Sequence, residues 1–362
     1  VAEFLATDAP NWFPSRISPW SGRLARRLAE RSGYERAWFG LTGSDAVEAA
    51  MKMARAATRR PRILGLERAY HGCTFGSVAL MAAGPFRDPF GPHLPGVESL
   101  PFGDSTALAR ALEAGDVAAV IVEPIQGEGG VRPLPDAYVG DLCELTERHD
   151  VLLVSDEIQT GLGRSGVFLR SAAWPRRPEA ALVAKQLAGG LLPVSAMLTT
   201  AAMHDRAYGG EFEAAESHNA TFGYHALGAV ASLAALDLLT DELLERVRAK
   251  GDAFRARLAG ALAGNPLFRE VRGAGLMVGI ALEASDHPWL SFEHFGYPTF
   301  AERPSVGPLL CLRLYRHGYI AFACGHDWSV VRIQPRFEIP EATLDRFVAD
   351  CREELDVLAA VG

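Results

Sequence analysis

Three short apolar runs, each ending at a charged residue, constrain this chain more than any other feature. Val117 to Val122 runs unbroken into Glu123-Pro124, Val151 to Val154 into Ser155-Asp156, and Ala180 to Ala184 into Lys185. A strand with one wet face alternates polar and apolar side chains, whereas an unbroken run suits a strand covered on both faces. Between the first two runs, Tyr138 to His149 carries Leu142 and Leu145 on one face, as a crossover helix does. Strand, helix, strand predicts an α/β domain with a mainly parallel sheet. Ligands of such sheets sit beyond the carboxyl ends of the strands, and Glu123, Asp156 and Lys185 all fall there.

The 362 residues suffice for about two domains. We expect an N-terminal arm over 1–30, a large domain over 31–240 and a smaller α+β domain over 241–362. Residues 1–20, with three prolines and four aromatics, read as an extended arm, and Ser21 to Arg31 as a short amphipathic helix. Residues 224–260 read as one long helix. Glu270 to Leu282, Ile320 to Ile333 and Ala342 to Leu358 read as strands and helices of the smaller domain. Asp286 to Pro308, rich in Pro, Phe and Gly, reads as a long loop and a candidate pocket lid.

Acidic residues outnumber basic ones, 44 to 36, for a net charge of −8. A general nucleic-acid binder is normally basic, so that class drops out. No stretch reaches the roughly 20 mostly apolar residues of a membrane span. The longest, Leu187 to Met203, is broken by Gly189, Gly190, Pro193, Thr199 and Thr200. Cys73, Cys143, Cys311, Cys324 and Cys351 form neither a C-x-x-C pair nor a metal-like spacing, which suits reduced thiols in the cytoplasm. Because the chain opens at Val1 rather than Met, a further N-terminal piece is to be expected, and no targeting signal is read from it.

A lysine amine forms Schiff bases with carbonyls, and burial or cationic neighbours make it nucleophilic. Lys185 stands one α/β unit beyond Asp156. Pyridoxal 5'-phosphate needs such a pair: a lysine for its aldehyde and a carboxylate to keep its pyridine nitrogen protonated. Its phosphate needs an anion site. Leu41-Thr42-Gly43-Ser44-Asp45 leads into a helical stretch with Val47, Ala50, Met51, Ala54 and Ala57 on one face. Thr42-x-x-Asp45 fits a helix-start box, and Glu48 and Lys52 are spaced as a helix-supporting pair. The free N–H groups and positive dipole end of a helix start bind anions, although a plain capped helix leaves the same pattern.

In their order along the chain, these residues resemble the class III (omega) aminotransferases, pyridoxal-phosphate enzymes of fold type I. The matching stretches are Thr42-Gly43-Ser44-Asp45-Ala46-Val47-Glu48-Ala49-Ala50, Tyr70-His71-Gly72, Val122-Glu123-Pro124-Ile125-Gln126-Gly127-Glu128-Gly129-Gly130, the run from Asp156 to Gly166, Ala184-Lys185 with Gly189-Gly190, and Thr221-Phe222-Gly223. The resemblance covers most of the chain from about Ser21. It implies a Schiff-base role for Lys185, and for Asp156 the partnership with the pyridine nitrogen. Gln159 then stands beside the ring oxygen and Tyr70 on the ring face, with His71 among the cofactor-binding positions. Gly43 and Ser44 match the phosphate turn, and Glu123 an acid near the cofactor or the substrate. Thr221 matches a threonine that reaches the phosphate of the neighbouring subunit, which implies a homodimer with shared active sites. Glu128 and Arg332 match an acid–arginine pair that opens for an α-carboxylate, and Trp12 joins them as a substrate-side candidate.

The chain departs from the family pattern at Asp45, where Glu is commoner, and at Cys73, where Arg is usual. It also departs at Gln186 after the lysine, at His218-Asn219-Ala220, and at Pro335-Arg336-Phe337 in place of Pro-Pro-Leu. The family's N-terminal glycine and His-Pro landmarks are missing. The implied reaction moves an amino group between an amino acid or amine and an oxo acid through a Lys185 aldimine. The alternative is a non-transaminating enzyme on the same fold, such as a racemase, decarboxylase or aminomutase, since fold and cofactor do not choose among them. A catalytically silent homologue would need neither Lys185 nor Asp156. Gly161-x-Gly163-x-x-Gly166 matches a dinucleotide fingerprint in letters, but Asp156 to Thr160 separate it from the strand. We find neither H-E-x-x-H nor G-x-S-x-G.

Overall fold

A computed structural model describes residues 1–7, 18–210 and 212–361. Trp12 and the rest of 8–17 lie outside the described residues. The chain divides into two compact units. The first comprises Val1–Pro124, Leu134–Leu162 and Phe168–Asp241, and the second Ile125–Pro133, Gly163–Val167 and Glu242–Gly362.

In chain order the strands of the first half are β1 (Arg36–Gly40), β2 (Arg62–Leu66), β3 (Val97–Leu100), β4 (Val117–Val122), β5 (Ile125–Gln126), β6 (Arg132–Pro133), β7 (Leu152–Asp156), β8 (Ala180–Val183) and β9 (Ser195–Thr199). The first unit holds a seven-stranded sheet in the order β1-β9-β8-β7-β4-β2-β3. From β8 across to β3 every pairing is parallel, and β9 alone runs against both of its neighbours. All six residues of β4 are buried, because both faces of the sheet are covered. On one face, helix Gly43–Thr58 packs Ala46, Val47, Ala50, Met51 and Ala54 against Ile63, Ile121, Val154 and Leu182. Its alanines let the helix lie close to the sheet. On the other face, Leu64, Val120, Val122 and Leu153 meet Leu108, Leu142 and Leu145.

The second unit holds β10 (Phe268–Ala274), β11 (Met277–Leu282), β12 (Phe322–Cys324) and β13 (Asp327–Ile333) in the antiparallel order β10-β11-β13-β12. Phe254 and Leu258 of helix Asp241–Leu262, Leu310 of Val306–Arg316 and Phe347 of Glu341–Val361 cover one face of this sheet. Ile125 and Val131 pack with Met277, Ala281 and Val330 in a separate cluster.

Four expectations need correction. The N-terminal residues are not wholly extended: Ala2–Leu5 is a short helix whose Phe4 meets Trp20 edge-on at 5.5 Å. The next helix, Pro19–Ser32, starts early because Ser18 caps it and proline suits its first position. The long helix is two helices, Ala226–Leu238 and Asp241–Leu262, broken where Leu239 N turns back to Leu236 O. The 286–308 loop contains two single-turn helices and ends at helix Val306–Arg316. Pro308 falls in the first turn of that helix, where a missing N–H costs little. Among the described residues no helix is long and apolar enough to cross a membrane.

Candidate active site

Asp156 is the last residue of β7 and only 3% exposed. Parallel pairing sets it beside Leu182 of β8, and Glu157 N donates to Leu182 O at 2.9 Å. Lys185 follows β8 by two residues and is exposed. The register alone therefore brings the carboxylate and the lysine-bearing turn to neighbouring strand ends.

One Asp156 oxygen lies 2.7 Å from His71 Nδ1, and the other accepts Ile158 N at 3.1 Å in an Asx turn. His71 is fully buried. Burial alone would lower its pKa, but the hydrogen bond and charge of Asp156, with the charge of Glu123, leave it raised. Its Nδ1–H thus donates to Asp156, while its buried Nε2 has no partner among the described residues. Glu123, just past β4 and 6% exposed, accepts Tyr70 N at 2.9 Å. The Tyr70 hydroxyl lies 3.0 Å from Cys73 Sγ. Gln159 is 8% exposed, and its Oε1 is buried without a partner among the described residues.

The helix start at Gly43 is built as its sequence implies. Thr42 Oγ1 accepts Asp45 N at 3.3 Å, and Asp45 accepts Leu41 N and Thr42 N at 2.9 and 2.8 Å. The expected Glu48–Lys52 pair does not form. Glu48 instead accepts Thr74 Oγ1 (2.5 Å), Gly76 N (2.8 Å) and Ser77 N (3.1 Å), tying down helix Phe75–Ala79. Lys52 Nζ reaches His218 Nδ1 at 2.8 Å. Ser44 Oγ accepts Cys73 N at 3.2 Å. Gly72 sits at φ +123°, and a Cβ there would collide with Ser44 Oγ, so glycine is required. Sequence reasoning missed Glu48 and Cys73 as the fasteners of the 70–77 segment. The helix-start spacing of Thr74 and Ser77 is the signal that could have found Glu48.

Thr221 is exposed on the segment that joins His218 to Gly223. In the second unit, Arg332 ion-pairs with one oxygen of Glu128, and Gly325 N donates to the other at 2.8 Å. Arg336 is exposed. The 161–166 stretch is a series of turns with Leu162, Gly163 and Gly166 at positive φ, not a strand-to-helix junction. Its Arg164 donates to Leu276 O (3.1 Å) and Pro335 O (2.6 Å), and burial lowers the guanidinium pKa to about 10.

These residues fit pyridoxal 5'-phosphate. Within the first unit they offer a strand-end lysine, a buried carboxylate braced by histidine, the start of a 16-residue helix and two buried polar atoms awaiting partners. The fold agrees with that of an ornithine aminotransferase from Toxoplasma gondii, solved with partial occupancy of PLP at its active site. The TM-score is 0.82 and the identity 29%, over 94% of this chain and 77% of that one. Fold and site together define a fold type I, pyridoxal-phosphate-dependent class of protein.

The family model for class-III aminotransferases matches residues 17–353. The chain is 37% identical over 261 residues to an acetylornithine aminotransferase of Methanothermobacter thermautotrophicus, covering 72% of this chain. It is 32% identical over 380 residues to Aminotransferase PigE of a Serratia species, covering 96% of this chain. It belongs to the class-III aminotransferase family, whose members use pyridoxal phosphate. The chain spans 65% of the length of the first relative and 44% of the second.

Proposed function

We propose that this protein is a cytoplasmic, homodimeric aminotransferase that moves an amino group between an amino acid or amine and an oxo acid. The observation that carries the reading is the buried Asp156–His71 pair at a strand end next to the one that leads to Lys185. When bound, pyridoxal phosphate supplies a ring that accepts the electrons left when a substrate carbon loses its proton. Asp156, oriented by His71 and Ile158 N, would hold the protonated pyridine nitrogen. Lys185 anchors the aldehyde. Its amine, once free, would serve as the general base that holds and moves the substrate-carbon proton. The Gly43 and Ser44 end of the helix receives the phosphate. Tyr70 and Gln159 would help to hold the ring, and Glu123 keeps the Tyr70 backbone in place.

Thr221 would offer its hydroxyl to the phosphate site of the other chain of the dimer. Phe75, Leu191 and Phe222 are large apolar side chains left exposed on this chain, and a dimer interface would be a place to cover them. We assign the cofactor to the large domain, 31–240. Arg332 grips a substrate α-carboxylate through two parallel hydrogen bonds when Glu128 releases it, and lies neutralised beside an amine end when paired. The names of the ornithine and acetylornithine relatives favour substrates that carry both groups. The test is a half-reaction with ornithine, acetylornithine and simple amines. It should yield the pyridoxamine form and one equivalent of oxo product. Proton exchange or loss of carbon dioxide without pyridoxamine would favour a non-transaminating enzyme instead.

A further inference from the structure

The segment that presents Thr221 is fastened at both ends and bare in the middle. At its far end Gly223 lies against the backbone of β1, where a Cβ would strike Phe39 O, and Tyr224 meets the Phe39 ring edge-on at 5.7 Å. At its near end His218 stacks on Trp38 with ring centroids 4.6 Å apart, and Trp38 Nε1 donates to His218 O at 3.2 Å. Lys52, from helix Gly43–Thr58, donates to His218 Nδ1 at 2.8 Å and to Ser217 O at 3.4 Å. Between these anchors Asn219, Thr221 and Phe222 are exposed.

A lysine ammonium can only donate, so His218 Nδ1 must accept, and the ring must be neutral with its proton on Nε2. We propose that neutral His218 is a positioning residue for Thr221, and that its protonation expels Lys52 and loosens the phosphate-binding segment. The consequence for the cofactor rests on the shared-site reading of Thr221; the anchor itself does not. Among the described residues, the charged groups that act on His218 are Lys52, Glu48 and Asp45, all on helix Gly43–Thr58, while Trp38 of β1 stacks on its ring. Burial and the Lys52 charge lower the His218 pKa, and the two carboxylates oppose them less. A lowered pKa means that the anchor is intact above about pH 6.5 and is lost as pH falls through the lowered value.

The experiment uses the full chain and two readouts. Hydrogen exchange of 217–224, referenced to helix Ala226–Leu238, reports the segment directly. Affinity for pyridoxamine phosphate, which needs no covalent bond to Lys185, reports the phosphate site. In the wild type, exchange of 217–224 should rise about tenfold as pH falls through the His218 transition, the scale of one hydrogen bond to a charged group. Lys52→Met leaves no lysine to expel, so exchange should already be raised at neutral pH and its rise with acid should be largely lost. Lys52→Arg, which keeps the charge, should hold the midpoint near the wild-type value. Exchange independent of pH in the wild type, or a full acid rise that persists in Lys52→Met, would overturn the anchor. If Thr221→Ala binds pyridoxamine phosphate as tightly as wild type, the shared-site reading fails and takes the cofactor consequence with it. The exchange data still decide the anchor.

Discussion

Asp156 shows how much of a site a single side chain can carry. One of its oxygens meets a histidine 85 positions away in sequence, and the other caps its own turn through Ile158 N. An amide at this position would keep the shape and lose the charge that balances a pyridinium. Asp156→Asn should therefore cost at least two powers of ten in rate, about 3 kcal/mol of barrier. Rates measured at saturating cofactor check this, and a near-normal rate would remove the proposed role. The strand-end positions of Asp156, Lys185 and Glu123 were legible because each ends or closely follows an apolar run. The His71–Asp156 pair and the Tyr70–Cys73 contact were not legible, because only the folded chain brings such distant or turn-borne groups within reach.

At the scale of elements, legibility followed burial. β4, β7 and β8 were found within a residue or two, because strands covered on both faces leave unbroken apolar runs. β9 went unseen inside Leu187 to Met203, since that uncharged stretch also holds Gly189, Gly190 and Pro193 and the start of helix Ala201–Tyr208. The break between helices at Leu239 was masked by apolar residues that keep helical spacing on both sides of it. In the second unit, helix Val306–Arg316 is joined to helix Glu341–Val361 through His317, whose Nε2 lies 2.6 Å from Glu354, while Arg313 pairs with the same carboxylate. The hydrogen bond to Glu354 and nearby acid charges raise the His317 pKa. Its contribution to stability is thus full below about pH 6.5 and is lost as pH rises through the raised value. Calorimetry should show Tm falling as pH rises through that window, and His317→Gln should remove the slope. An unchanged slope in the variant would show that His317 does not set it.

For the whole molecule, the proposal depends on two chains sharing their sites. A Lys185→Ala chain lacks the aldehyde anchor, and a Thr221→Ala chain lacks the hydroxyl offered across the interface. A hybrid dimer holds one site with both defects and one with neither. Mixed and refolded, two inactive parents should recover about a quarter of wild-type activity, because random pairing makes half the dimers hybrid and each hybrid has one intact site. No recovery from parents that both fold would rule out sharing through Thr221. Beneath this lies the central claim, that Lys185 carries the cofactor, and one measurement tests it most directly. The protein is loaded with pyridoxal phosphate, reduced with borohydride, digested and mapped. A pyridoxyl group on Lys185 is the result predicted; a group on Lys52 or Lys250 instead, or none at all, would contradict it.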